Sequence, residues 1–116
     1  MEFAVSREVT TLVTLHGGSD TTACDEATDE LGDSLASLAA AGTIADWEIV
    51  DAAVHEHPTA PVDPYTIAVE FSVTVVAEAD GESEAETTGA NAIDDALENA
   101  DLDGVSYTTA PAASTA

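Results

Sequence analysis

The two histidines of the segment His55-Glu56-His57 have a spacing that some metal sites use. Side chains at positions i and i+2 of a strand project to the same side, so both imidazoles can bind one metal ion. Glu56, His16 or another acidic side chain would then supply further ligands. The same spacing is common by chance in solvated loops, and carboxylates occur throughout this chain. We keep His55 and His57 as candidate metal ligands and favour a solvent-exposed loop.

Cys24 is the only cysteine, so no intramolecular disulfide is possible and a reducing compartment fits the chain. It falls in the first turn of a predicted helix, where a helix dipole can activate a thiol, and His16 lies a few residues upstream as a possible base. The position also borders the apolar stripe of that helix. We therefore favour a small buried hydrophobic residue over a catalytic thiol.

Arg7 is the only cation in a chain with 24 carboxylates. It lies on the side of the first predicted strand that faces the helices, and an unpaired buried charge costs several kcal/mol. We predict a salt bridge to a carboxylate such as Asp33, Asp94 or Asp95, with the aliphatic stem packed on the core. The alternative is that Arg7 binds an anionic ligand.

The carboxylates themselves give no catalytic signal. Acid–base catalysis needs two carboxyl groups in different environments within one pocket, and with so many candidates the sequence singles out no pair. The chain contains no G-x-G-x-x-G, P-loop, G-x-S-x-G or C-x-x-C motif. We expect a protein that is not an enzyme and that uses no cofactor.

The formal charge of the chain is -23 at pH 7 on 116 residues. Such a chain repels itself in dilute buffer, whereas in molar salt the screening length falls to about 3 Å. The composition resembles that of proteins from haloarchaea, or from viruses that infect them, and this resemblance implies a salt-rich environment. Phosphate backbones and anionic membranes attract basic residues, so we exclude nucleic acid and membranes as partners.

The sequence also lacks the features of a membrane-spanning or secreted chain. No apolar stretch approaches the ~20 residues that cross a bilayer, and the N-terminal residues lack a basic and then apolar leader. We expect the protein in the cytoplasm, or in a virion assembled there.

Hydrophobic periodicity predicts the order β-α-β, loop, β-α-β. Strands are predicted before Gly17, over about 46–55, over 65–78 and over 105–108, and the first and third have regular alternation. Ser19 or Asp20 is expected to cap the first helix and Gly42 to end it, while Ser83 is expected to cap the second helix.

This order resembles the ferredoxin-like fold, an α+β split βαβ sandwich. The resemblance implies a four-stranded antiparallel sheet, strands 1 and 3 at its centre, and two helices on one face. We predict a single domain over 1–110, with pseudo-repeats 1–54 and 65–110 joined by the proline-rich loop 55–64, and a tail over 111–116. A 62-residue shift superposes the two halves, placing Val9 on Phe71.

The sheet face away from the helices is predicted to be neutral at its centre. Strands 1 and 3 place only four glutamates on it, mostly toward their ends, which suits burial against another subunit. A solvated, threonine-rich sheet is the alternative. The predicted contact residues on this face and in the proline loop are Thr10, Leu12, Ala68, Ser72, Thr74, Val76, Pro58 and Pro61.

Together these features favour a non-enzymatic structural or assembly protein of a halophile. Its expected partners are other protein subunits, in a homo-oligomer or a larger assembly, by analogy with head, neck or tail components of haloarchaeal viruses. The first alternative is a regulatory domain that binds a small metabolite. The second is a metal-binding protein that uses His55 and His57.

Overall fold

The computed structural model describes residues 1–60, 63–100 and 102–115. The described chain is α+β, with two helices and an antiparallel sheet of five strands. In chain order the elements are β1 (Glu2–Leu15), α1 (Asp20–Ala40), β2 (Asp46–Glu56), β3 (Tyr65–Glu78), α2 (Glu82–Asn99), β4 (Asp103–Tyr107) and β5 (Ala112–Thr115).

The two longest strands, β1 and β3, lie side by side at the centre of the sheet, as predicted. They pair along all 14 residues, from Glu2 opposite Glu78 to Leu15 opposite Tyr65. Alternation of apolar and polar residues explains their length, because one side of each strand packs toward the helices, with Arg7 as the only charged residue on that side of β1. The sheet order is β2-β3-β1-β4, and β5 also pairs with β1.

Both helices pack on the same face of this sheet. Gly89 of α2 lies against Val5 of β1, so closely that an added Cβ would be 2.5 Å from Val5 Cγ1. Gly32 of α1 lies over Trp47 and Ile49 of β2, where an added Cβ would be at the ordinary contact distance of 3.8 Å from both side chains. The buried large side chains between the layers are Phe3, Val5, Val9, Leu31, Leu35, Ile44, Ile67, Val69, Phe71, Val73, Val75, Ile93 and Leu97.

The predicted ends of α1 are confirmed. The Ser19 hydroxyl accepts a hydrogen bond from the Thr22 N–H at 3.2 Å, which satisfies one of the free donors of the first turn. At the other end Gly42 has φ 77°, the left-handed conformation that commonly follows a helix and that glycine adopts without strain.

The predicted cap of α2 is wrong. The helix begins at Glu82, one residue before Ser83, and its N-cap is Gly81, which has no side chain to accept a hydrogen bond. The Glu84 carboxylate reaches back instead and accepts a hydrogen bond from the Asp80 N–H at 3.3 Å. A carboxylate near the helix N-terminus is favourable because it meets the positive end of the helix dipole.

The sheet has a fifth strand that the sequence analysis did not predict. Residues 112–115, which belong to the predicted tail, form β5 and pair with the Phe3–Ser6 segment of β1. On the same edge, β4 pairs with β1 from Val9 to Leu12. The neighbour of β1 on the side away from β3 therefore consists of two short strands in line, β4 and β5. The prediction of four strands omitted β5.

The molecule is elongated, with extents of 55 × 25 × 20 Å and a radius of gyration of 15.5 Å. A compact domain of this length has a radius of gyration of about 13 Å. The proposed internal duplication stays a prediction. The register places Val9 directly opposite Phe71, the two residues that the 62-residue shift superposes.

Candidate interaction surface

The side of the sheet away from the helices is called the open face here, because neither helix covers it. It consists of the even-numbered residues of β1 and β3 together with their neighbours on β2, β4 and β5. Along the two central strands its side chains are mostly small or uncharged. The uncharged ones are Ala4, Ser6, Thr10, Leu12, Thr14, Thr66, Ala68, Ser72, Thr74 and Val76. The other four are glutamates: Glu2 and Glu78 at the strand ends, and Glu8 and Glu70 near the middle of their strands.

An apolar row crosses three strands of the open face. Ala68 of β3 is the direct neighbour of Ala53 on β2 and of Leu12 on β1. Leu12 is half-buried because the backbone at Gly104 lies over it, and an added Cβ at Gly104 would be 2.8 Å from Leu12 Cδ1. Ala53 is exposed, whereas Ala68 is half-buried like the predicted contact residue Leu12.

The other predicted contact residues of β1 and β3 also lie on this face. Ser6 and Thr74 are joined by a hydroxyl–hydroxyl hydrogen bond of 2.8 Å between the two central strands. Thr10 and Ser72 are half-buried by their neighbours within the sheet. Val76 is 52% exposed, which is unusual for a β-branched aliphatic side chain in a central strand. The sheet therefore holds these side chains in one surface.

Strand β2 makes one border of the open face strongly acidic. Asp46 and Glu48 lie opposite Thr74 and Ser72, and Asp51 lies opposite Glu70. A bulge between Ile49 and Asp51 interrupts the alternation of this strand, so the sequence pattern alone did not reveal which of its acids face this way.

Two pairs of carboxylates lie directly opposite one another on this face: Asp51 with Glu70, and Glu2 with Glu78. Like charges in directly opposed positions destabilise a sheet, and salt screens the repulsion between exposed groups. The prediction of a neutral centre is wrong, because Glu8 and Glu70 lie near the middle of β1 and β3, with uncharged side chains on either side of them. Molar salt would make this face easier to cover.

The proline loop is attached to the start of α1 through His57. The Nε2 atom of His57 lies 3.2 Å from Oδ2 of Asp20, and both side chains are exposed. The Tyr65 ring meets His57 edge-on, with 6.3 Å between ring centroids. Desolvation and the neighbouring Asp20 carboxylate raise the pKa of the Tyr65 phenol. Pro58 is half-buried, and Pro61 lies outside the described residues.

The structure does not bring His55 and His57 together as a ligand pair. A second register shift falls between Val54 and Glu56, and β2 ends at Glu56, so His57 lies beyond the strand. The same-side rule for positions i and i+2 therefore does not apply. Within residues 1–60, 63–100 and 102–115, no three His, Cys, Asp or Glu side chains are placed to hold a metal ion.

Cys24 is half-buried and packs against the core beside the apolar stripe of α1. Its carbonyl oxygen accepts a hydrogen bond from the Thr28 hydroxyl at 2.9 Å, one helical turn later. These surroundings are those of a small hydrophobic side chain, which is the favoured interpretation of the sequence.

Arg7 does not make the predicted salt bridge within the described part of the chain. Its guanidinium stacks 3.9 Å from the centroid of the Tyr107 ring, and its Nε donates to the Thr109 carbonyl oxygen at 2.9 Å. The Tyr107 hydroxyl in turn donates to Asp94. The Tyr107 phenol therefore lies between Arg7 and Asp94, one of the predicted salt-bridge partners, because β4 places the Tyr107 ring on the helix side of the sheet.

The surroundings of Tyr107 favour the protonated phenol. Desolvation, followed by the hydrogen bond to Asp94, raises the pKa of Tyr107 above its ordinary value, and the positive charge of Arg7 opposes part of this shift. Tyr107 therefore stays a neutral hydrogen-bond donor at alkaline pH values where an ordinary phenol ionises. The cluster connects β1, β4 and α2 at one edge of the sheet.

Two shallow grooves of about 230 and 220 Å³ lie on either side of Leu102, near the end of α2. Pockets for small molecules are usually ~300–1,000 Å³ and enclose most of the ligand. The metabolite-binding alternative therefore has little support from these two grooves. The first is lined by Thr11, Leu12, Val13, Thr14, Glu30, Leu31, Ser34 and Ala100, and the second by Asp94, Leu97, Glu98, Val105 and Tyr107.

Comparison with protein-family models found no matching family, and comparisons with curated proteins and with solved structures found no significant match. Neither α1 nor α2 combines the length and the apolar character that crossing a bilayer requires.

Sequence reasoning missed two groups of residues at these surfaces. It did not connect Arg7 with Tyr107 and Thr109, which are about a hundred positions away in the chain. It also did not assign the β2 carboxylates to the open face, because a bulge interrupts the alternation of sides along this strand. A useful signal for the first group is that Tyr107 is one of only two tyrosines and lies in a predicted strand.

Proposed function

We propose that this chain is a non-enzymatic assembly protein of a salt-rich environment, which acts through protein–protein contacts made by the open face. The observation that carries the proposal is the uncharged row of Leu12, Ala68 and Ala53, which crosses three strands of that face. In a chain with a formal charge of -23, ten of the 14 residues that β1 and β3 place on this face are uncharged, and neither helix covers them.

Such a surface suits contact with a second sheet. Alanine, serine and threonine side chains are short, so another sheet can approach to the usual spacing of about 10 Å. The cores of protein interfaces are depleted in charged residues, as is the row formed by Ala53, Ala68 and Leu12. The acidic border would oppose association in dilute buffer and permit it in molar salt.

The proposal includes a fold type, an environment and a location. The strand order β2-β3-β1-β4 is the order that a ferredoxin-like split βαβ sandwich requires, with β5 as an addition to it. Many unrelated functions use that fold, so the fold supports no particular functional residue. We place the protein in a haloarchaeon or one of its viruses, either in the cytoplasm or in a virion assembled there, as part of a homo-oligomer or larger assembly.

The test is the absolute molar mass by light scattering on a sizing column in molar KCl. We expect a discrete multimer for the natural chain and a lower mass for Ala68→Arg, which places a long charged side chain in the apolar row. Ala36→Arg is the matched control, because Ala36 is exposed on α1 and the substitution changes the net charge equally. Circular dichroism verifies that both variants fold.

Two outcomes would contradict the proposal. A monomer at all protein concentrations in molar KCl would exclude self-assembly through any surface. A multimer whose mass is the same for folded Ala68→Arg and for Ala36→Arg would show that assembly does not use the open face.

A further inference from the structure

Strand β5 is joined to β4 by a connection that is longer than the segment of β1 beside it. Four residues, 108–111, separate Tyr107 from Ala112, whereas only Arg7 and Glu8 separate their partners Val9 and Ser6 on β1. The surplus length is taken up beside Thr109. The Glu8 N–H donates to the Thr109 hydroxyl at 3.0 Å, and the Arg7 Nε donates to the Thr109 carbonyl oxygen at 2.9 Å.

These contacts hold the start of the connection and leave β5 itself with few anchors. Ala113 is its one side chain that packs against the core, and the other three residues of the strand are exposed. Ala110 and Pro111 lie between the last anchored residue and the strand. Proline fixes its own φ and donates no backbone hydrogen bond, so this pair is a natural place for the chain to change direction.

The contact between β5 and β1 is also free of charge in a chain that is acidic almost everywhere else. Residues 104–115 contain no ionisable acid or base except Tyr107, and the Phe3–Ser6 segment of β1 is uncharged. Two highly negative copies of the chain can therefore bring these particular segments together with less repulsion than most other parts of their surfaces.

We propose that β5 is an exchangeable strand, and that in the multimer residues 112–115 of one copy pair with the Phe3–Ser6 edge of β1 in a second copy. This inference rests on the proposed function, because it takes the multimer as given and names one contact within it. The occupant is a second copy of this chain, since the edge already accepts this sequence in this register. Exchange would recreate the same backbone hydrogen bonds and change only the connection, as in domain swapping.

The length of the connection limits how the two copies can lie. Five Cα steps lead from Tyr107 to Ala112, and a fully extended chain spans at most about 18 Å over five steps. The receiving β1 edge must therefore lie within that distance of Tyr107, which requires the two sheets to meet edge to edge. Such an arrangement leaves the open face of each copy available for further contacts.

The experiment uses two double-cysteine variants of the full chain, each with Cys24→Ala to remove the natural thiol. Ala4→Cys with Ser114→Cys places thiols on directly opposed residues of β1 and β5. Ser6→Cys with Thr74→Cys places thiols on opposed residues of β1 and β3, which do not exchange, and is the matched control. Each variant is unfolded, refolded at high concentration in molar KCl, and treated with a short bis-maleimide that bridges neighbouring strands.

If β5 exchanges, the Ala4/Ser114 variant gives covalent multimers on a denaturing gel and the Ser6/Thr74 variant gives internally cross-linked monomer. If the Ala4/Ser114 variant is also cross-linked within single chains while light scattering shows a multimer, strand exchange is overturned and the proposed function stands. If light scattering shows only monomer, the proposed function fails and the exchange with it.

Discussion

The two faces of the sheet share the same strands and differ in what those strands present. On β3, Val73 points into the core and is fully buried, whereas Val76, three residues later, is on the open face and 52% exposed. The covered face is built from aliphatic and aromatic side chains that the helices bury. The open face carries mostly alanine, serine and threonine on β1 and β3, together with four glutamates on these strands and further carboxylates along β2.

The covered face therefore mainly serves stability, and the open face mainly serves contacts with other molecules. The hydrophobic effect acts mainly on the covered face, where apolar area leaves water on folding. The open face contributes strand pairing and little burial in a single copy, so its residues are free to serve contacts with other molecules. Substitutions of the same chemical kind should therefore have very different consequences on the two faces.

The largest expected effect comes from truncating one valine on each face. Val73→Ala removes two buried methyl groups and should lower the free energy of unfolding by about 2–3 kcal/mol. Val76→Ala removes the same atoms from a half-exposed site and should change it by less than about 0.5 kcal/mol. Chemical denaturation of both variants in molar KCl measures the difference, and equal losses would show that a partner already buries the open face.

The next effect concerns how closely the helices approach the covered face. Gly89→Ala introduces a Cβ against Val5, and this overpacking should lower the free energy of unfolding by about 1–3 kcal/mol. The loss should exceed the roughly 1 kcal/mol that alanine contributes through its higher helix propensity. Gly32→Ala is the control, because its Cβ would meet its neighbours at 3.8 Å. It should stabilise the protein by up to about 1 kcal/mol.

Thermal or chemical unfolding of the two glycine variants should therefore give shifts of opposite sign. A stabilising Gly89→Ala would mean that α2 can move away from β1 at little cost. The contrast between a closely packed and a loosely packed helix would then disappear.

The smallest expected effect belongs to the open face. Glu70→Gln removes one of two directly opposed carboxylates and should raise the free energy of unfolding by about 0.2–1 kcal/mol in dilute buffer. Glu8→Gln removes the same charge from a position opposite Ser72 and should have a smaller effect. The difference between the two variants should shrink along a KCl series, because salt screens exposed charges. A difference that does not depend on salt would rule out direct repulsion as its cause.

Much of the fold was predictable because its longest elements have strong and simple patterns. The alternation in β1 and β3, the helical spacing in α1 and the serine before it each predicted a local structure that the protein adopts. The central position of β1 and β3 followed from their length, since the longest regular strands bury the most apolar surface at the centre of a sheet.

The elements that were missed depend on contacts between distant parts of the chain. Strand β5 has the sequence Ala-Ala-Ser-Thr, which has no apolar alternation, and it forms because the edge of β1 beside Phe3–Ser6 is open. Arg7 was expected to meet a carboxylate, but the partner of its guanidinium depends on where β4 places Tyr107. The start of α2 depends on one glutamate reaching back to the Asp80 N–H, which competes with the cap that Ser83 would provide.

The pairing of β1 with β3 has a consequence during protein synthesis. A ribosome makes β1 first, yet Glu2 is paired only when Glu78 has been made, and β2 cannot replace β3 because it pairs with β3 and not with β1. At ordinary rates of translation this delay is on the order of several seconds. During that time the nascent chain carries a long unpaired strand, and the many carboxylates that follow it would keep neighbouring nascent chains apart.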